Sequence, residues 1–195
     1  MEDVFRDLPA LQTPRLLLRK MRLSDAADIF AYASDPAVAR YTTWPPHPTV
    51  AATEAFVREL LQRYADGLVS PWGIVHRADG KLIGSCGFAY VMAWHGRGEI
   101  AYALSQSYRG QGLMPEAVSA VLAFGFETLR LNRIEARCEV ENIASERVMQ
   151  KVGMQLEGVL RQHAQVLGKY RDLKLYSILR DEWPADQTAR IGWPR

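Results

Sequence analysis

Tyr108-Arg109-Gly110-Gln111-Gly112-Leu113-Met114 is the stretch on which the fold turns. It follows a β-rich run at 98–104 and opens an amphipathic run at 112–129, with Leu113, Ala117, Val121 and Phe124 on one face. Glycines let a backbone approach a ligand closely, because no Cβ stands in the way. The first turn of the helix that follows offers unpaired N–H groups and the positive end of the helix dipole. That combination binds pyrophosphate. Taken alone, the two glycines serve a tight turn as readily as an anion site. No Gly-Lys-Ser/Thr follows, which excludes a Walker loop. Three spaced glycines are lacking, which excludes a dinucleotide fingerprint.

Working towards the C-terminus, 133–140 reads as a strand and 142–152 as a helix stopped by Gly153. Two strands at 155–166 and 170–179 follow, hinged at Leu167-Gly168-Lys169. Towards the N-terminus, 72–76 and 81–90 form a hairpin through Ala78-Asp79-Gly80. Thr49 starts a helix with Phe56, Val57, Leu60, Leu61 and Tyr64 at helical spacing, and Gly67 stops it. The proline-rich stretch 41–48 is an irregular loop. Ser24 reads as the N-cap of a shorter helix ending before Pro36, and 16–21 as the first strand. The expected fold is mixed α/β, with antiparallel hairpins on either side of a strand–helix–strand centre. The 195 residues suit one domain with a core at about 13–180 and a peripheral tail at 184–195.

Lys and Arg number 24 against 22 Asp and Glu, a net charge of +2, so neither nucleic acid nor a membrane surface is an expected partner. The start, Met1-Glu2-Asp3-Val4-Phe5-Arg6-Asp7, is acidic and lacks the apolar run of a secretory signal. No stretch is apolar for long enough to span a membrane. Cys86 and Cys138 sit in apolar strand-like segments and read as buried free thiols. Four scattered histidines give no metal-ligand spacing, so no metal is expected. The expected compartment is the cytoplasm.

Arg109-x-x-Gly112-x-Met114 resembles the pyrophosphate loop of the GNAT superfamily of N-acetyltransferases, although Met114 stands where glycine or alanine is commonest. Residues 142–154, Asn-Ile-Ala-Ser-Glu-Arg-Val-Met-Gln-Lys-Val-Gly-Met, resemble that superfamily's second signature. Thr13-Pro14-Arg15-Leu16, Trp44-Pro45-Pro46, Met114-Pro115-Glu116-Ala117 and Glu157-Gly158 followed by Asp172 and Tyr176 resemble its Rim-type branch, which acetylates ribosomal-protein N-termini. The resemblance covers about residues 13–180.

It implies a GNAT fold: a central, mostly antiparallel twisted sheet with one splayed parallel strand pair and flanking helices. It implies acetyl-CoA as co-substrate, with Arg109, Gly110, Gln111, Gly112, Leu113 and Met114 around the pyrophosphate and Leu104 and Asn142 along the pantetheine arm. Asn142 also reads as a helix N-cap, and the two roles are compatible. Ser145 would support the departing thiolate; its other reading is a first-turn helix residue. Glu99 resembles the catalytic glutamate of histone-type members and is the candidate base, with a solvent-facing strand glutamate as the alternative. Met149 stands where many relatives carry a tyrosine acid, and Ala164 where some carry a glutamate base. His163 is a substitute base, and a backbone N–H near Leu104 could hold the oxyanion. The aromatic loop Tyr41–His47 and Trp94-His95 are candidate walls for the amine, with Trp44 as an anchor of the proline-rich loop as the alternative. The implied activity is direct acetyl transfer to a primary amine, either a protein N-terminus or a small amine, by a monomer or homodimer. The alternative is a non-catalytic acyl-CoA-binding sensor.

Overall fold

The computed structural model describes residues 2–166 and 168–184. Its helices are α1 (Glu2–Arg6), α2 (Ala26–Ala33), α3 (Pro36–Ala39), α4 (Val50–Ala65), α5 (Leu113–Glu127) and α6 (Ile143–Lys151). Its strands are β1 (Leu11–Gln12), β2 (Leu16–Arg19), β3 (Trp72–His76), β4 (Lys81–Met92), β5 (Arg97–Leu104), β6 (Arg133–Glu139), β7 (Gln155–Val166) and β8 (Lys169–Leu179). One sheet holds all eight strands in the order β1-β2-β3-β4-β5-β6-β8-β7. Every neighbouring pair is antiparallel except β5 and β6. Parallel neighbours require a crossover, and α5 supplies it. The sheet is the mixed α/β arrangement expected from the sequence.

Helix α5 is buried along nearly its whole length, from Leu113 through Phe126. Its small residues are what let it lie so close to the sheet. A Cβ at Gly125 would stand 2.6 Å from Ile134 Cδ1 and 2.8 Å from Phe88 Cζ. Phe124 meets Trp72 edge-on, with ring centroids 5.0 Å apart, and the Trp72 indole N–H donates to the Pro9 carbonyl at 2.7 Å. Burying each such large apolar side chain stabilises the fold by roughly 1.5–3 kcal/mol. Cys86 and Cys138 are both free and buried.

Local signals explain most boundaries. Thr49 caps α4 by accepting from the Ala52 amide, and Asn142 caps α6 by accepting from the Ser145 amide. Ser24 is not a cap. It lies in a 3-10 turn, Leu23–Asp25, and Asp25 does the capping work by accepting from the Arg22 amide at 2.7 Å and pairing with Arg19. Asp25 wins because its carboxylate can hold the amide and the guanidinium together. Asp35 caps the short α3, which the sequence reading left out. The tail expected at 184–195 lies outside the described residues beyond Pro184, as does Leu167 of the expected hinge. No helix among the described residues is long and apolar enough to cross a membrane.

Candidate active site

The parallel pairing of β5 with β6 stops early. Arg97 to Ile100 face Arg133 to Ala136, but no described strand pairs with Ala101–Leu104 on that side. Strand β5 stays on β4 as far as Leu104 opposite Gly84, and β6 stays on β8 as far as Glu139 opposite Leu173. The two central strands therefore diverge, and a wedge opens between them. A cleft of about 490 Å³ occupies it, lined among others by Tyr102, Ala103, Leu104, Asn142 and Ser145. Its volume falls within the usual range for small-molecule sites.

The glycine loop forms one wall. A 3-10 turn, Gln106–Tyr108, leads into Gly110 and Gly112, both in the left-handed region at φ +78° and +75°. An L side chain is strained there. Gly112 is the N-cap of α5 and carries no side chain to cap it. The Leu113 and Met114 amides are thus left without intrahelical partners, and Pro115 has no N–H to leave. Arg109 lines the same wall and donates to the Ala37 carbonyl at 3.4 Å. Arg147 and Lys151 approach from α6. The sequence reading missed these two, although Ala144, Val148 and Lys151 recur at helical spacing on one face.

At the wedge itself the Tyr102 hydroxyl lies 2.8 Å from the Ser145 hydroxyl and 3.1 Å from the Ser145 carbonyl oxygen, within hydrogen-bond reach of both. Burial pushes the Tyr102 phenol well above its ordinary pKa. Tyr102 is a third residue that sequence reasoning passed over, because a tyrosine in an alternating strand looks like ordinary packing. Met149, by contrast, is fully buried in the core and points no polar group at the cleft.

The sheet surface opposite α5 and α6 carries Glu99 of β5, Arg133, Glu135, Arg137 and Glu139 of β6, and Arg171 of β8. Glu99 sits there with both Arg137 Nε, at 3.0 Å, and Arg137 Nη2 on its Oε2. Arg137 also contacts His163 Nε2, so a single guanidinium joins the two base candidates. Ala164 pairs with Arg171 across the β7–β8 hairpin. Of the loop at 41–47, Tyr41 and Thr42 line the cleft. Trp44 instead packs on the core beside His47, and Trp94 stands 80% exposed at the β4–β5 turn.

Residues 15–155 match the acetyltransferase (GNAT) domain family. The chain belongs to the GNAT acetyltransferases. Among curated relatives, the uncharacterized N-acetyltransferase p20 of Bacillus licheniformis is 34% identical over 90% of this chain and 99% of its own length. An acetyltransferase (GNAT family) from Bacillus anthracis superposes with a TM-score of 0.78 at 29% identity, covering 89% of this chain and 99% of that one. Mycobacterium smegmatis RimJ, solved in complex with CoA-disulfide, superposes with a TM-score of 0.79 at 25% identity, covering 93% and 91%. The Rim-type likeness read from the sequence thus extends to the three-dimensional structure.

The GNAT wedge fits the co-substrate that this family uses. Free helix amides and three basic side chains gather at one end, where a polyanion needs them. Unpaired strand backbone lies at the other, where an extended amide-bearing arm can bond as an added strand would.

Proposed function

We propose that this N-acetyltransferase is a cytoplasmic enzyme that passes the acetyl group of acetyl-CoA directly to a primary amine bearing one ammonium group, such as a protein N-terminus or a small monoamine. The observation that carries this is the single continuous cleft running from the Gly110–Gly112 loop to Ser145. In this reading Arg109, Gly110, Gln111, Gly112, Leu113 and Met114 hold the pyrophosphate, while Leu104 and Asn142 flank the arm. The Leu104 amide steadies the carbonyl oxygen as it gains charge, Ser145 faces the sulfur, and Glu99 takes the proton that the amine loses.

The preference for a monoamine rests on charge pairing. Glu99 is matched by Arg137, Glu135 and Glu157 share Arg133, and Glu139 faces Arg171 at 3.7 Å. A floor whose carboxylates are already matched gives a polycation little to hold. The test is calorimetric titration of acetyl-CoA followed by thiol release with N-terminal peptides, monoamines and spermidine. Saturable binding with release driven by peptides or monoamines supports the reading. Release driven by spermidine alone removes the monoamine preference, and failure of acetyl-CoA to bind removes the whole reading.

A further inference from the structure

Tyr102 belongs to the part of β5 that has parted from β6, opposite Cys86 of β4. From there its hydroxyl reaches the first turn of α6 and meets two acceptors at once, the Ser145 carbonyl at 3.1 Å and the Ser145 Oγ at 2.8 Å. A phenol has one proton and cannot donate it to both. When that proton points at the carbonyl, the serine's own proton must point back at the phenol oxygen. When it points at Oγ, the serine's proton is free to turn into the cleft. Only two hydroxyl rotors separate these arrangements.

We propose that Tyr102 is a positioning residue for thiolate departure: it holds Ser145 Oγ and donates to it, so that the serine hydroxyl offers its proton to the sulfur as the C–S bond breaks. The proposal rests on the reading that places the thioester at Ser145. In the transfer one N–C bond forms, the C–S bond breaks, and the electron pair of that bond goes to sulfur. The amine releases a proton on the acceptor face, and the thiolate, held by Ser145, takes up one from solvent. Neither hydroxyl is consumed. Burial favours the neutral phenol, which suits a donor that keeps its proton. The position where many relatives carry a tyrosine acid is filled by the buried Met149, so the second hydroxyl at the wedge comes from β5 rather than from α6.

The experiment is a cycle of Tyr102→Phe, Ser145→Ala and the double variant, with kcat, the acetyl-CoA dissociation constant and the melting temperature read for each. Y102F is expected to lower kcat on the order of 10- to 100-fold, less than the loss of a donor that touches the charge directly. Its acetyl-CoA affinity should stay within about twofold of wild type, because the ground state does not use the bond. The double variant should be about as slow as S145A, since Tyr102 acts only through the serine. Additive losses, or a Y102F enzyme with wild-type kcat beside a slow S145A, overturn the proposal. So does a loss of affinity that accounts for the whole effect, which marks Tyr102 as a strut. Should Y102F melt too early to assay, S145A still tests the pair, because unchanged kcat there removes the thiolate role. A wild-type protein inert towards every amine is a different failure, that of the enzymatic reading itself.

Discussion

Arg15 and Glu116 lie 101 residues apart in the chain and meet through a 2.7 Å hydrogen bond from Nε to Oε2. The same carboxylate accepts from the Arg15 amide at 2.9 Å and the Thr13 hydroxyl at 2.6 Å, while Arg15 Nη1 donates to the Gln111 carbonyl at 2.8 Å. The segment before β2 therefore grips both the glycine loop and the first turn of α5. Glu116→Gln keeps the shape and loses the charge. It should weaken acetyl-CoA binding about tenfold and lower stability by about 1–2 kcal/mol, since bonds to charged groups exceed neutral ones. Calorimetry and urea unfolding read the two effects. Unchanged affinity alongside reduced stability confines the clamp to a structural role.

Glu99→Gln separates binding from chemistry. The carboxylate lies on the sheet face opposite Ser145, bound by Arg137. A glutamine keeps one acceptor for that guanidinium but cannot take the amine's proton. Turnover should fall about 10²-fold or more, with acetyl-CoA affinity nearly intact. Wild-type rates at every pH would remove Glu99 as the base and leave it as Arg137's partner.

Acid should destabilise the protein in two stages. Burial holds His47 below its ordinary value of 6.5. The Arg133 guanidinium and the Ser177 hydroxyl hold Glu157 down at about 2. Burial pushes Glu116 up, but the bonds from Thr13 and Arg15 outweigh it and leave the carboxyl below its ordinary value. In each case the unfolded chain binds more protons than the folded one between the two pKa values, so stability falls as pH falls through that window. Urea midpoints should decline gently below pH 6.5 and more steeply from 4.5 towards 2. Glu157→Gln should flatten the lower stage. A midpoint that rises on acidification contradicts the assignment.

The two thiols should stay silent in the native state. Burial pushes Cys86 far above the ordinary thiol range and Cys138 up to about 11. Only thiolates react quickly. A chromogenic disulfide at pH 8 should therefore find no fast protein thiol until denaturant is added, and then two. This also leaves the thiol-release assay without protein background. One fast equivalent in the native protein would mean that the end of β6 opens readily.

The sheet and its helices were legible because their signals are local. Thr49, Gly67 and Gly153 mark helix ends, and the Ala78-Asp79-Gly80 turn fixes a hairpin register. The glycine loop and the Asn142 helix could be located from their neighbours in sequence. The links between distant segments could not. Nothing around Arg15 announces a partner at Glu116, and nothing around Tyr102 announces Ser145. Glu99 could be placed on its strand but not beside Arg137, because strand alternation says which face a side chain takes and not which charge waits on the next strand. Ser24 misled because a cap residue before an apolar run is only one way to close a helix start. Asp25, one place on, closes it from inside the turn.

Gly84 links fold to site and gives the sharpest structural test. A Cβ built there would lie 2.3 Å from the Ala103 carbonyl oxygen and 3.1 Å from Leu104 Cα. Both are backbone atoms of the free half of β5, so no flexible side chain can yield. Gly84→Ala must push that half away from β4, into the wedge. It should cost about 1–3 kcal/mol, the usual penalty for overpacking. It should also weaken acetyl-CoA binding, because the displaced residues line the cleft. Gly80→Ala is the control. Gly80 also has positive φ, +66°, but a Cβ there meets nothing within 4 Å and the turn lies outside the cleft. Its cost should be backbone strain alone, about 1–2 kcal/mol, with affinity unchanged. If both variants lose similar stability but neither loses affinity, the parted half of β5 does not hold the arm. A loss of affinity confined to G84A ties cofactor binding to the width of the gap that β5 leaves.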